Sequence, residues 1–252
     1  MEASAIRTTI SWHCYAMMIA ATSVIVGVNW DISWHISIGR DTFWSAPHMA
    51  IYFGGLLAGI SSGFVVLRTT FAGTPEQQAE SVRVWGFRGP LGAWAAIWGA
   101  FAMIVSAPFD DWWHNAYGLD VEIISPPHFV LALGITAIVY ASVLLLVSRA
   151  RHLYIYVSGV MVLHVATFLT EYIYANQMHG GFFYILTCTV FVFLLTGLSR
   201  ASQFRWAATA IAATYMLLDL AIDFALQLAP ATPKLAPIYN RIDHLVPSGF
   251  PL

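Results

Sequence analysis

The chain has 252 residues, of which 59% are hydrophobic and only 10% charged, with a net charge of −2; an ordinary soluble domain carries about 25% charged residues. A water-soluble core cannot absorb that much apolar side chain, so the composition excludes an ordinary soluble domain and makes the bilayer the natural solvent. The near-neutral total charge says little, whereas the placement of the charges says a great deal.

A spanning helix needs about 20 predominantly apolar residues. Such stretches run roughly over 9–30, 47–67, 90–107, 126–147, 153–175, 181–198 and 206–228. The predicted fold is all-α: a polytopic membrane bundle of about seven transmembrane helices. The loops are too short for a separate soluble domain, so 1–252 reads as one transmembrane domain. Within it, 9–147 carries two motif-bearing helix pairs and 150–252 three further helices. The first stretch is longer than a signal peptide's apolar core and lacks a small-x-small cleavage site, which makes it a helix. Between the second and third stretches, Thr74 is placed as an N-cap and Pro75 at the first helical position of a short surface helix. Cys14 and Cys188 both fall inside apolar stretches, far apart, and read as buried thiols.

Orientation follows from the basic residues. With the amino terminus inside, Arg7, Arg68, Arg83, Arg88, Arg149, Arg151, Arg200 and Arg205 share the inner side, leaving Arg40, Lys234 and Arg241 outside. The positive-inside rule then predicts that the amino terminus is inside and the carboxyl terminus outside; the expected location is an inner (cytoplasmic) membrane of bacterial type, with the metal sites toward its outer face. The outer side collects Asp31, Asp41, Asp110, Asp111, Asp120, Glu122 and Asp243, together with interfacial Trp30, Trp34, Trp44, Trp112 and Trp113.

Two outer segments repeat one another. DISWHISIGRDTFWSAPH (31–48) and DDWWHNAYGLDVEIISPPH (110–128) share Asp-x-x-Trp-His, then Gly-x-Asp, then Pro-His, with one inserted residue between the copies. Such repetition implies an internal duplication or a common chemical demand. Asp31 and His35 are four apart, as are Asp110 and His114, so each pair occupies one helical face. His48 and His128 each follow a proline and open the next helix, and a turn can return each of them to its pair. Each copy thus offers two imidazoles and one carboxylate. That set suits iron(II), and imidazole-rich sites also suit copper or zinc. The competing reading is that these are solvated residues at a membrane boundary; the recurrence of a chelating spacing, in a place where ionisable groups are costly, weighs against it. Gly39 with Asp41, and Gly118 with Asp120, read as turn elements or as groups that orient a ligand imidazole.

The first motif resembles the C subunit of the copper membrane monooxygenases, the particulate methane and ammonia monooxygenases. That family carries Asp-x3-His-x12-His with a Trp-His pair and an Arg-Asp-Thr inside it; here these are Asp31, Trp34-His35, Arg40-Asp41-Thr42 and His48. The resemblance implies that Asp31, His35 and His48 bind a metal. A later Asn-x3-His-x13-His in the family forms a second copper site, matched here by Asp110, His114 and His128, with Asp110 in place of the asparagine. The resemblance spans roughly 9–147. It implies copper as cofactor, a multi-subunit assembly, and dioxygen activation against a small apolar substrate. The added charge of Asp110 favours a harder divalent ion such as iron(II).

The leading functional expectation is therefore a membrane-bound oxidoreductase, a monooxygenase or monooxygenase-like subunit. Its mono- or dinuclear site is built from Asp31, His35, His48, Asp110, His114 and His128, with Asp41, Asp120 or Glu171 steering protons. Expected partners are the lipid bilayer, other membrane subunits or further copies of the chain, and the apolar substrate, without nucleic acid. A metal-handling protein without turnover is the alternative. A haem carrier using His48 and His128, or His13 and His164, is a third reading, and it leaves the repeated carboxylates unexplained. Asp219 and Asp223, four apart in the last stretch, either flank the site or are buried hydrogen-bonding groups; His164 reads as a packing histidine, and Gly55 and Gly59 as a helix-packing face.

Overall fold

The computed structural model describes residues 11–38, 42–118, 125–147, 149–172, 180–231 and 245. Its elements in chain order are α1 (Trp12–Ser37), α2 (Ala46–Ala72), α3 (Pro75–Ala79), strands β1 (Val82–Val84) and β2 (Phe87–Gly89), α4 (Leu91–Tyr117), α5 (Pro126–Leu146), α6 (Arg151–Tyr172), α7 (Gly181–Ser202) and α8 (Ala207–Leu228). Seven of these helices are long and apolar enough to cross a membrane, so the chain is an all-α polytopic bundle. Helices α1 and α4 run past the predicted ends of their apolar stretches, to Ser37 and Tyr117. Hydropathy falls where charged residues begin, but the backbone hydrogen-bond ladder continues through them and carries Asp31, His35, Asp110 and His114 on regular helix.

Helix α3 starts as the sequence predicts. Thr74 Oγ1 accepts from the Gln77 N–H, the Gln77 side chain accepts from the Thr74 N–H, and Pro75 needs no partner at the first position. The two-stranded hairpin after it has no forerunner in the sequence reading, since strands this short leave too few residues for a period of two to show.

Helices α1, α2, α4 and α5 form a closed four-helix unit. α1 packs on α2 and α4 on α5, while α2 also faces α4 and α1 faces α5. A rotation that takes α1 to α4 and α2 to α5 carries the α2/α4 contact onto the smaller α5/α1 contact, so the order of helix contacts is the one a two-fold arrangement of the repeat would give. The helix crossings agree: a Cβ added at Gly54 would meet the Ala20 carbonyl at 2.7 Å, and one at Gly134 would meet the Gly99 carbonyl at 2.8 Å. Gly54 and Gly134 each lie six residues after the motif's last histidine. The crossings are dominated by small residues such as Ala20, Ala21, Ala58, Ala96 and Ala100, all buried. In lipid, close backbone approach supplies the dispersion energy that hydrophobic sorting supplies in water.

Gly55 and Gly59 face Met103 and Ala100 of α4, so their packing face is used within the chain. The remaining helices buttress one side: α6 packs against α1, α5 and α8, and α7 against α6 and α8. Buried polar groups along these seams find local partners. His164 pairs with the Thr136 hydroxyl at 2.8 Å, and the Thr167 hydroxyl reaches Asn29 Oδ1 at 3.3 Å and the Leu163 carbonyl at 2.9 Å. Cys14 is buried as predicted, whereas Cys188 is exposed on the bundle surface. An apolar position on a membrane helix faces lipid as readily as core, so hydropathy does not separate the two.

Candidate metal sites at one end of the bundle

The described arginines gather at the opposite end from the motifs. Arg149, in the α5–α6 turn, donates to His13 Nε2 at the start of α1 over 3.3 Å, and Arg151 lies 5.4 Å from the ring centroid of Phe204 in the α7–α8 turn.

At the other end, each motif assembles in the same way. Asp31 and His35 stand on one face of the last turns of α1. After the connection, Ser45 is the N-cap of α2, Pro47 lies in its first turn and His48 follows at the third helical position. In the second copy Asp110 and His114 stand near the end of α4, Ser125 is the N-cap of α5, prolines 126 and 127 open the helix and His128 is third. The Ser125 hydroxyl accepts from the His128 backbone N–H at 3.4 Å. A serine three residues before the histidine is therefore part of the repeat. It is visible in the sequence as Ser45-Ala46-Pro47-His48 and Ser125-Pro126-Pro127-His128, although the sequence reading used only Pro-His.

The aspartate in each copy bridges its two histidines with separate oxygens. Asp31 Oδ2 lies 3.8 Å from His35 Nε2 and Oδ1 lies 3.3 Å from His48 Nε2. Asp110 Oδ2 lies 3.4 Å from His114 Nε2 and Oδ1 lies 3.3 Å from His128 Nε2. In the second trio one ligand atom from every residue lies within 4.8 Å of the others, close enough to share an ion. Ligands held about 2.0–2.2 Å from a tetrahedral ion stand roughly 3.3–3.6 Å apart, and each Asp110 oxygen stands that far from a different imidazole nitrogen. The first trio is more open, because the His35 side chain is 51% exposed and stands farther from its carboxylate. Among the described residues Asp110, His114 and His128 are the one group of three or more whose ligand atoms come that close; Asp31, His35 and His48 do not come close enough to form such a group, and Asp219 and Asp223 join neither. Each cluster belongs to its own helix pair.

His114 carries the most telling contact. Its Nδ1 lies 3.2 Å from the Gly118 carbonyl. A carbonyl only accepts, so the ring donates Nδ1–H there and a neutral ring keeps its lone pair on Nε2. That lone pair faces Asp110 Oδ2, itself an acceptor. Two acceptors 3.4 Å apart are an arrangement that a metal ion between them would satisfy. Gly118 holds its carbonyl in place as the C-cap of α4, with φ +95° and its N–H returned to the His114 carbonyl. It was expected as a turn or orienting residue and it does both. Gly39, Asp41, Asp120 and the Glu171 side chain lie outside the described residues.

Between α2 and α4, next to these clusters, lies a cavity of about 460 Å³ lined by Phe43, Trp44, Tyr52, Phe53 and Leu56 on one side and Met103, Ile104, Ala107 and Pro108 on the other. The Tyr52 ring centroid is 5.9 Å from that of His48, and Pro108 lies two residues before Asp110. On the same turns of α4 as Asp110 and His114, Phe109, Trp112, Trp113 and Tyr117 form a chain of ring contacts. His13 pairs with Ser11 and Arg149, His164 with Thr136, and His48 and His128 each face an aspartate. No known family, curated protein or solved structure matches the chain.

Proposed function

We propose that the chain is a membrane metalloprotein of the kind suggested by its likeness to the C subunit of the copper membrane monooxygenases, acting on a small apolar substrate with dioxygen. The observation that carries the metal is the contact of His114 with Asp110 in a trio whose ligand atoms lie within 4.8 Å of one another; around Asp31 a carboxylate likewise stands between two imidazoles, at longer range on the His35 side. The donor set of two imidazoles and a carboxylate fits a divalent ion. Copper is the metal by resemblance, while the carboxylate at position 110 makes iron(II), or zinc, an equal fit by donor chemistry.

When bound, the metal supplies dioxygen binding and reduction; insertion of one oxygen atom consumes two electrons and two protons from a donor outside the chain. The chain's own residues do the rest. Asp110 neutralises the ion's charge and spans two ligands, the Gly118 carbonyl aims His114, and the apolar cavity between α2 and α4 holds the substrate against the trios and away from water. Asp41, Asp120 and Glu171 are the proposed carriers of protons. The positive-inside rule supports the arginine end as cytoplasmic, which places the trios toward the outer face of a bacterial-type inner membrane. Other membrane subunits or further copies of the chain are the proposed partners.

Elemental analysis of the purified protein tests the site. The expected content is about two ions per chain, falling to about one in either His35→Ala or His114→Ala. Full metal retention in both variants would refute the assignment. Ala107→Phe, which fills the cavity, should abolish xenon binding there while leaving metal content unchanged.

A further inference from the structure

The β1–β2 hairpin, at the arginine end, lies against the outer wall of the bundle. Its two strands are fastened separately. Arg88 N–H donates to Thr70 Oγ1 of α2 at 2.8 Å, and Trp94 Nε1–H of α4 donates to the Val82 carbonyl at 3.2 Å. Val84 packs against the buried Val66, Ala93 and Trp94. The hairpin is thus held rigidly with one face inward.

Three of its features oppose its own stability in water. Arg83 and Arg88 are direct cross-strand partners, a like-charge pair on the outward face. Arg88 Nη1–H reaches only the Gln78 carbonyl, at 3.0 Å, and among the described residues neither arginine forms an ion pair with an acidic side chain. The turn Trp85-Gly86 has positive φ at both positions, 49° and 91°. Glycine accommodates that conformation, but a bulky side chain rarely adopts it, and Asn-Gly is the usual choice. Finally, Trp85 is 80% exposed.

The surroundings supply the reason. The Trp85 ring lies 5.5 Å, centroid to centroid, from Trp98, which is itself 45% exposed on the membrane helix α4. Trp98 is seven residues beyond the start of α4, about 10 Å along its axis. Phe87 meets Phe71 of α2 alongside. The tip therefore stands beside an exposed ring near the start of a helix apolar and long enough to cross a membrane, the kind of position where an indole suits the boundary of headgroups and chains.

We propose that this hairpin is a binding site for an anionic phospholipid: Arg83 and Arg88 on the outward face take the phosphate, while Trp85 at the tip packs on the glycerol and upper acyl chains. The phosphate relieves the paired arginine charges, and burial in the interface offsets the strained turn. This site is independent of the metal clusters.

Native mass spectrometry of the detergent-purified chain with phosphatidylglycerol and phosphatidylcholine tests it. Wild type should retain phosphatidylglycerol preferentially. At about fivefold per arginine, Arg83→Gln with Arg88→Gln should lower that preference about 25-fold. An unchanged preference would overturn the proposal, as would equal protection by soluble glycerol phosphate. Trp85→Gly removes the strain as well as the ring, so this variant should fold. In vesicles, the fluorescence difference between wild type and Trp85→Gly should be quenched by lipids brominated high on the acyl chain. An unquenched difference would place Trp85 in water and also overturn it. Unchanged metal content in every variant reports an intact bundle.

Discussion

A single backbone conformation decides how His114 presents itself. Gly118 at φ +95° closes α4 and points its carbonyl at the imidazole Nδ1. Replacing it by alanine forces a Cβ into a positive-φ, extended region that essentially only glycine occupies, at about 1–3 kcal/mol. The larger effect is expected on the metal: a displaced orienting partner lowers affinity by about 10–100-fold. Competition with a chromophoric chelator should show that loss for the second site and none for the first. The aspartates hold the same leverage. Each is the only carboxylate that reaches both imidazoles of its copy among the described residues, so Asp110→Ala should empty the second trio and leave the first occupied, read as metal per chain.

Within the helix pairs, position is set by glycines that no chemistry marks. Gly134 lets α5 approach the Gly99 carbonyl of α4, and Gly54 lets α2 approach the Ala20 carbonyl of α1. Valine at either position overpacks the crossing at about 1–3 kcal/mol and splays one pair. Because His128 rides on α5 and Asp110 on α4, Gly134→Val should deplete the second site alone, and Gly54→Val the first alone. Loss from both sites together would show that the pairs are mechanically coupled. The glycines stand at the same distance from their histidines in both copies, so comparison of the repeats could have found them. Hydropathy could not, since glycine neither raises nor breaks the apolar signal of a membrane helix.

At the scale of the whole bundle, the ions would tie the ends of four helices together. A metal present at 100 times its dissociation constant should add about 2.7 kcal/mol of stability per site. Thermal unfolding in detergent, before and after chelation and after readdition, measures it. The second site, whose ligands are already within 4.8 Å of one another, should release its ion to chelator last; His35, half-exposed and more distant, makes the first the weaker.

Much of this was legible along the chain because it is local. Seven apolar stretches, the arginine asymmetry and the Asp-x3-His pairs depend only on residue type and on a helical rise and twist that vary little, and Thr74 capped its helix where the sequence placed it. Non-local facts needed the fold. Spacing alone did not show that His128 closes on Asp110 through a serine-capped, proline-opened helix, that α2 turns its Gly55–Gly59 face to α4, or that a cavity opens between them beside both trios. Nor did it show Cys188 facing outward or a tryptophan forced into a left-handed turn against the bundle wall. In a membrane every helix is apolar on all sides, so its sequence says that it spans without saying whom it touches; small differences in shape, settled only when the helices pack, choose the neighbours.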